Sequence, residues 1–184
     1  MWSILFRAYL KLNGWSCRID LPPHLKKFVL IALPHTSNFD FPVAKAAFYI
    51  VGVKVRFLAK ESLFTFPFGH LFRKWGGIPV NRSQKNSLVS KLKETFDQNE
   101  EMVLAISPEG TRDRVDTLKM GFYYIAKEAR VPIVCGFIDY EKKEVGLGPI
   151  ITDLSSIEAV KSQMREFYRL KMPKFPDKFN ENFS

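Results

Sequence analysis

Four short segments carry residues whose types and spacing could do chemistry. The first is Pro34-His35-Thr36-Ser37-Asn38-Phe39-Asp40. A histidine with an aspartate five residues on can form a base and its orienter. The carboxylate holds one ring nitrogen, fixes the tautomer and stabilises the imidazolium, and the other nitrogen is free to take a proton from a hydroxyl. Taken alone the spacing is a weak signal, because Asp40 could equally cap the helix that follows. The second segment is Gly76-Gly77-Ile78-Pro79-Val80-Asn81-Arg82. Its glycines let the chain turn sharply, and Arg82 could then grip an anion with two parallel hydrogen bonds; a lone arginine after a turn is more commonly just solvated.

The third segment is Ser107-Pro108-Glu109-Gly110-Thr111-Arg112. Gly110 permits a loop whose N–H groups converge on an anion, and Arg112 adds charge. Glu109 is out of place there unless it orients an arginine or bonds an acceptor hydroxyl. The plain alternative for Pro-Glu-Gly is a turn. The fourth segment, Val131-Pro132-Ile133-Val134, reads chemically as an apolar strand with an early proline, and its simplest role is sheet core.

These segments need elements to hold them, and the periodicity supplies a set. Residues 2–13 form an amphipathic helix with Trp2, Leu5, Phe6, Tyr9 and Leu10 beside Arg7 and Lys11. Strands are expected at 28–33, 53–59, 78–80, 102–106 and 131–140, with 145–150 pairing back after a turn at 142–143. Helices are expected at 42–51, 84–98 (capped by Ser83), 120–129 and 157–170, and short helical pieces over the aromatic stretch 61–75. Alternation of strand and helix makes this an α/β chain: a single domain over 1–184 with a central mixed, partly parallel sheet flanked by helices. Residues 1–14 would lie on a membrane surface, and 174–184 read as a flexible tail. His35 then falls between a strand and a helix, where ligands gather in such sheets.

Composition narrows the classes. The chain has 184 residues, 46% hydrophobic and 26% charged, and a formal net charge of +9. It seeks anionic partners: nucleic acid, anionic lipid or phosphorylated small molecules. Its cations are scattered and no nucleic-acid motif is present, which disfavours nucleic acid. The two cysteines, Cys17 and Cys135, lie far apart and outside any zinc or disulfide pattern, which fits a reducing, cytoplasmic setting. Cys135 reads as an inert core thiol. No apolar run reaches the length of a spanning helix. The aromatic stretch Phe57, Phe64, Phe66, Phe68, Phe72 and Trp75, interleaved with Lys60, Arg73 and Lys74, suits a lipid–water interface or a core equally well.

In order and spacing the four segments resemble the four motifs of the glycerolipid acyltransferase superfamily, whose familiar member is 1-acylglycerol-3-phosphate acyltransferase. The H-x4-D motif is matched by His35 and Asp40, and the glycine, proline and arginine segment by Gly77, Pro79 and Arg82. The P-E-G-T-R motif is matched by Pro108, Glu109, Gly110, Thr111 and Arg112, and the V-P-[IV] strand by Val131, Pro132 and Ile133. Ile78 and Val80 depart from the residues many members carry there. The resemblance implies an acyl-CoA or acyl-carrier-protein donor as co-substrate, no metal and no cofactor. It also implies a lysolipid acceptor whose hydroxyl, deprotonated by His35, attacks the thioester directly. Arg82, Glu109, Gly110, Thr111 and Arg112 would bind the acceptor head group, and Thr36, Ser37 or nearby N–H groups would face the oxyanion. The expected location is peripheral or monotopic at the cytoplasmic face of a membrane. Another lipid acceptor, an aminolipid or a different lysolipid, and a non-catalytic lipid-binding module stand as alternatives; a binding module has no need of a positioned base.

Overall fold

The structure, a computed structural model, describes residues 2–80 and 85–183. In chain order it runs α1 (Trp2–Leu12), β1 (Ser16–Arg18), β2 (Lys27–Ala32), α2 (Asp40–Ile50), β3 (Val55–Lys60), a 3-10 turn (Glu61–Phe64), α3 (Gly69–Lys74) and β4 (Gly77–Val80). There follow α4 (Lys85–Gln98), β5 (Met102–Ile106), α5 (Gly121–Ala129), β6 (Ile133–Asp139), β7 (Glu144–Ile151), α6 (Ile157–Tyr168) and a last 3-10 turn (Pro176–Lys178). Among the described residues the strands form one seven-stranded sheet in the order β1-β7-β6-β2-β5-β3-β4. Strands β6, β2, β5, β3 and β4 are parallel to one another, β7 is antiparallel to β6, and β1 runs parallel to β7. This is the mixed, partly parallel α/β sheet that the alternation predicts. Strand β1 is the element the periodicity does not predict, since its three residues are all exposed.

Strands β2, β5 and β6 are apolar runs because both of their faces are covered. Along β2, Phe28 and Leu30 pack with Phe48 of α2. Val29 and Ile31, on the opposite face, join Leu92 and Phe96 of α4 and Phe122 of α5. Val131 and Ile133 of the fourth segment are core, as the plain reading of that segment has it. Burial of this many large side chains, at about 1.5–3 kcal/mol each, drives the assembly.

The connections decide where a site can form. From β2 the chain crosses through α2 to β3, on one side of the sheet order; from β5 it crosses through α5 to β6, on the other side. Strands β2 and β5 are neighbours, so the loops leaving their C-terminal ends diverge and open a crevice between them. The His35 segment leaves β2 and the Glu109 segment leaves β5.

Both ends of the chain are more engaged with the core than the sequence suggests. The apolar residues of α1 do not form one free face: Leu10 is buried with Trp15 and Val43, and Phe6 packs against the same cluster, while Ile4, Leu5 and Leu12 are exposed. Apolar residues surround this helix, so one side docks on α2 and another is left outside. The segment expected as a flexible tail is packed: Phe179 and Phe183 are buried in the main cluster. Their rings anchor the segment in the core, and Arg114 and Arg165 tie it further by donating to the carbonyl oxygens of Phe179 and Phe183. Ser83, expected to cap α4, lies outside the described residues.

Candidate active site

The β2–α2 loop brings the histidine and the aspartate of the first segment together. His35 Nδ1 lies 2.9 Å from Asp40 Oδ2. Asp40 is the first residue of α2, whose N-cap is Phe39 without a side-chain cap bond; its carboxylate therefore serves the loop and not the helix end. Oδ2 also accepts from the Ser37 N–H at 3.1 Å, and Oδ1 accepts from the Tyr140 hydroxyl at 2.7 Å. Asp40 is buried, whereas 29% of the His35 side chain is exposed. A carboxylate accepts only, so the bond at Nδ1 puts a proton there and leaves the Nε2 lone pair available on the open side.

Tyr140 opens the turn between β6 and β7, and its ring stacks edge-on against Trp15 at 5.0 Å. Burial, together with the bond to Asp40, pushes its hydroxyl well above the usual phenol range, so it stays a donor. This residue was not picked out from the sequence. A signal was present: it directly follows a strand parallel to the one that leads into His35, on the same rim of the sheet.

The β5–α5 loop is tied to the His35 loop at two places. Glu109 Oε2 accepts from the His35 backbone N–H at 3.0 Å and lies 3.4 Å from the Ser107 hydroxyl. Glu109 is buried, and desolvation is the chief reason its carboxyl is pushed up to about 8, with the nearby Asp40 charge adding to the rise. Arg112 Nη1 donates to Asn38 Oδ1, which makes Asn38 a second unforeseen member of the site. Gly110, between them, has φ +66, and a Cβ there would crowd the Lys119 side chain. A side chain at 110 would be strained by the backbone whatever the space, and Lys119 would have to swing aside. The Thr111 hydroxyl accepts from the Asp113 N–H at 3.3 Å.

His35, Asp40, Glu109 and Arg112 are thus brought together, with Gly110 and Thr111 in the connecting turn. Arg82 lies outside the described residues. The glycines before it are required: Gly76 has φ +95, and a Cβ on Gly77 would meet the Phe72 carbonyl oxygen at 2.8 Å. Thr36 and Ser37 are buried with internal partners: Thr36 Oγ1 accepts from the Phe175 N–H at 3.2 Å, and Ser37 Oγ from the Phe39 N–H at 3.1 Å. Thr36 thereby braces the loop against the C-terminal segment, where Lys174 Nζ also sits 3.5 Å from the Phe39 ring centroid. Cys135 is fully buried, and burial pushes its thiol up to about 12, the opposite of what a nucleophile needs.

A histidine bonded to a buried aspartate, with an exposed arginine on the neighbouring loop, fits several transfer reactions. The sequence decides among them: the profile of the Acyltransferase family matches residues 19–138. The chain belongs to the acyltransferase family. The match runs from the approach to β2 through to β6 and so takes in both site loops. A solved structure, the 1-acyl-sn-glycerophosphate (LPA) acyltransferase PlsC from Thermotoga maritima, superposes with a TM-score of 0.60 at 17% sequence identity, covering 91% of this chain and 75% of that one. At that identity the likeness is one of fold. No curated protein matches the chain. Acyl transfer is the reaction class of that family.

Proposed function

We propose that this acyltransferase moves a fatty acyl group from acyl-CoA or acyl-carrier protein to a hydroxyl of a lysophospholipid such as 1-acylglycerol-3-phosphate, with His35 as general base. The observation that carries this reading is the His35–Asp40 bond of 2.9 Å, with Nε2 on the open side. Nε2 takes the proton as the acceptor oxygen bonds to the thioester carbonyl carbon. Asp40, held by the Ser37 N–H and the Tyr140 hydroxyl, stabilises the resulting imidazolium. Collapse of the tetrahedral intermediate breaks the C–S bond, and the imidazolium returns the proton to the departing thiolate. The donor is already activated, so no protein nucleophile is needed, in keeping with the raised thiol of Cys135.

The acceptor's charge is met by Arg112, which is exposed at the crevice, and by Arg82, whose guanidinium fork suits a phosphate. Glu109, Gly110 and Thr111 shape the loop that presents Arg112. The fold neighbour's action on a lysophosphatidate supports this choice of acceptor. No helix among the described residues is long and apolar enough to cross a membrane. We place the protein as a peripheral or monotopic guest at the cytoplasmic face, with the exposed side of α1 against lipid.

The deciding experiment is turnover of radiolabelled acyl-CoA with lysophosphatidate by the wild type and His35→Ala. Loss of the base lowers kcat by about two to four decades while the fold, followed by circular dichroism, is retained. Turnover near wild type by His35→Ala would sink the mechanism.

A further inference from the structure

Lipid contact need not be confined to α1. The chain leaving β3 forms the 3-10 turn Glu61–Phe64 and then α3 (Gly69–Lys74). Between them it leaves Phe66 97% exposed and Phe68 64% exposed. Phe64, by contrast, is buried and packs on Phe72. The aromatic stretch therefore divides into an inner group that fixes the lobe and an outer tip left exposed among the described residues. Leu63, Leu71 and Trp75 extend the exposed apolar surface. Phe41 of α2 joins it at Trp75, 5.8 Å between ring centroids. Most of the exposed large apolar side chains lie on this side of the sheet, on α1, α2 and the α3 lobe; the side covered by α4, α5 and α6 has few. Exposed Lys60, Arg73 and Lys74 flank the tip against a single carboxylate, Glu61.

We infer that the Phe66–Phe68 tip inserts into an anionic bilayer and docks the active-site rim on it. The placement follows from the sheet. Strand β3 is parallel to β5, and β5 to β2, so the lobe rises from the same edge that carries His35 and Glu109. Aromatic side chains that protrude singly, with cations behind them, suit a bilayer: the rings enter the acyl boundary and the ammonium and guanidinium groups stay among anionic head groups. A second copy of this chain would bring like charge against like, at a net +9 per chain. The inference rests on the lipid-acceptor reading above and adds a mechanism of delivery. With the rim on the membrane, a lysolipid presents its glycerol hydroxyl at the depth of the base and need not leave the bilayer.

The test uses the full chain and vesicles of phosphatidylcholine with about one-third phosphatidylglycerol. Substituting Phe66→Ala and Phe68→Ala together should lower partitioning by about tenfold or more, since each ring loses most of its transferable apolar area. Lys60→Glu with Lys74→Glu should lower it comparably at low salt and little at high salt. Leu170→Ala, exposed away from the lobe, serves as the control and should bind as the wild type does. Phe66→Trp should gain fluorescence quenching by lipids brominated on the acyl chains. Activity on a short-chain, water-soluble acceptor should be unchanged in the phenylalanine pair, which reports an intact site. Vesicle binding by that pair equal to wild type overturns the inference, as does retained vesicle binding with loss of a wild-type dimer in sedimentation velocity, which would assign the tip to a second copy. Weakened vesicle binding in a protein with no acyl transfer to any acceptor leaves the inference standing and removes the lysolipid reading instead.

Discussion

Glu109 offers a perturbation whose size can be worked out beforehand. The carboxyl is buried, is pushed up to about 8, and accepts the backbone N–H of the residue proposed as the base. At neutral pH it is mostly protonated, so glutamine is close to a replica in charge and shape. Unfolded, the group ionises near 4.5; folded, it keeps its proton to about 8. Between those values the unfolded chain holds fewer protons than the folded one, so this group's contribution to stability falls as pH rises and levels off above the folded value. The full span corresponds to roughly 5 kcal/mol, of which about 4 kcal/mol falls between pH 5 and pH 9.

Glu109→Gln removes that slope. Urea denaturation at pH 5, 7 and 9 should show the variant gaining on the wild type by a few kcal/mol across the series, with acyl transfer at pH 7 within about threefold of wild type. Glu109→Ala is a different perturbation: it leaves the His35 N–H without its acceptor, at about 1–3 kcal/mol, and frees the loop that aims the ring, so kcat should drop at every pH. Parallel stability curves for wild type and Glu109→Gln would refute the reasoning, because an ordinary ionised carboxylate at 109 gives no differential slope in this range.

The remaining expectations concern groups around the same loop. Tyr140→Phe keeps the stacking on Trp15 but removes the donor to Asp40; a bond to a charged group is worth about 1.5–3 kcal/mol, so kcat should fall about tenfold or more with acceptor KM nearly constant, as steady-state kinetics would show. Arg112→Lys replaces a planar fork with a point charge; acceptor KM for a phosphate-bearing lysolipid should rise about tenfold, donor KM should hold, and an uncharged acceptor should show little penalty. Phe179→Ala opens the main core beside the C-terminal segment that braces Thr36; it should cost about 3–5 kcal/mol in thermal or urea unfolding.

Much of this was legible in the sequence because it rests on local signals. Strand β5 shows as five consecutive apolar residues, and His35–Asp40 shows as a spacing that a single loop can close. What stayed hidden depends on pairing across the chain. Strand β1 is three exposed residues that become a strand only because β7 offers an edge. Tyr140 reaches Asp40 across 100 positions, which only the parallel register of β6 on β2 brings about. Glu109 reads as a ligand for substrate while its neighbours are unknown. Once the β5 loop is laid against the β2 loop, its carboxyl turns inward to the His35 backbone. The polar letters of 174–184 masked two phenylalanines whose burial needs the core already assembled.

The site also explains why a short motif is insufficient by itself. His35 is held by Asp40 through the ring and by Glu109 through the backbone; Asp40 in turn is held from the β6–β7 turn, and Thr36 receives a bond from the C-terminal segment. These partners arrive from four separate stretches of chain. The placement of the proposed base is therefore a property of the folded sheet, and a peptide carrying residues 34–40 would have the right letters with none of the constraint. A base held by fixed partners spends little rate on finding its geometry. The two ties between the site loops, Glu109 to His35 and Arg112 to Asn38, would link the proposed acceptor-binding arginine to the base. Under that proposal, an acceptor that draws Arg112 toward its phosphate would act on Asn38, and so on the loop that carries His35, coupling head-group binding to the position of the proposed base.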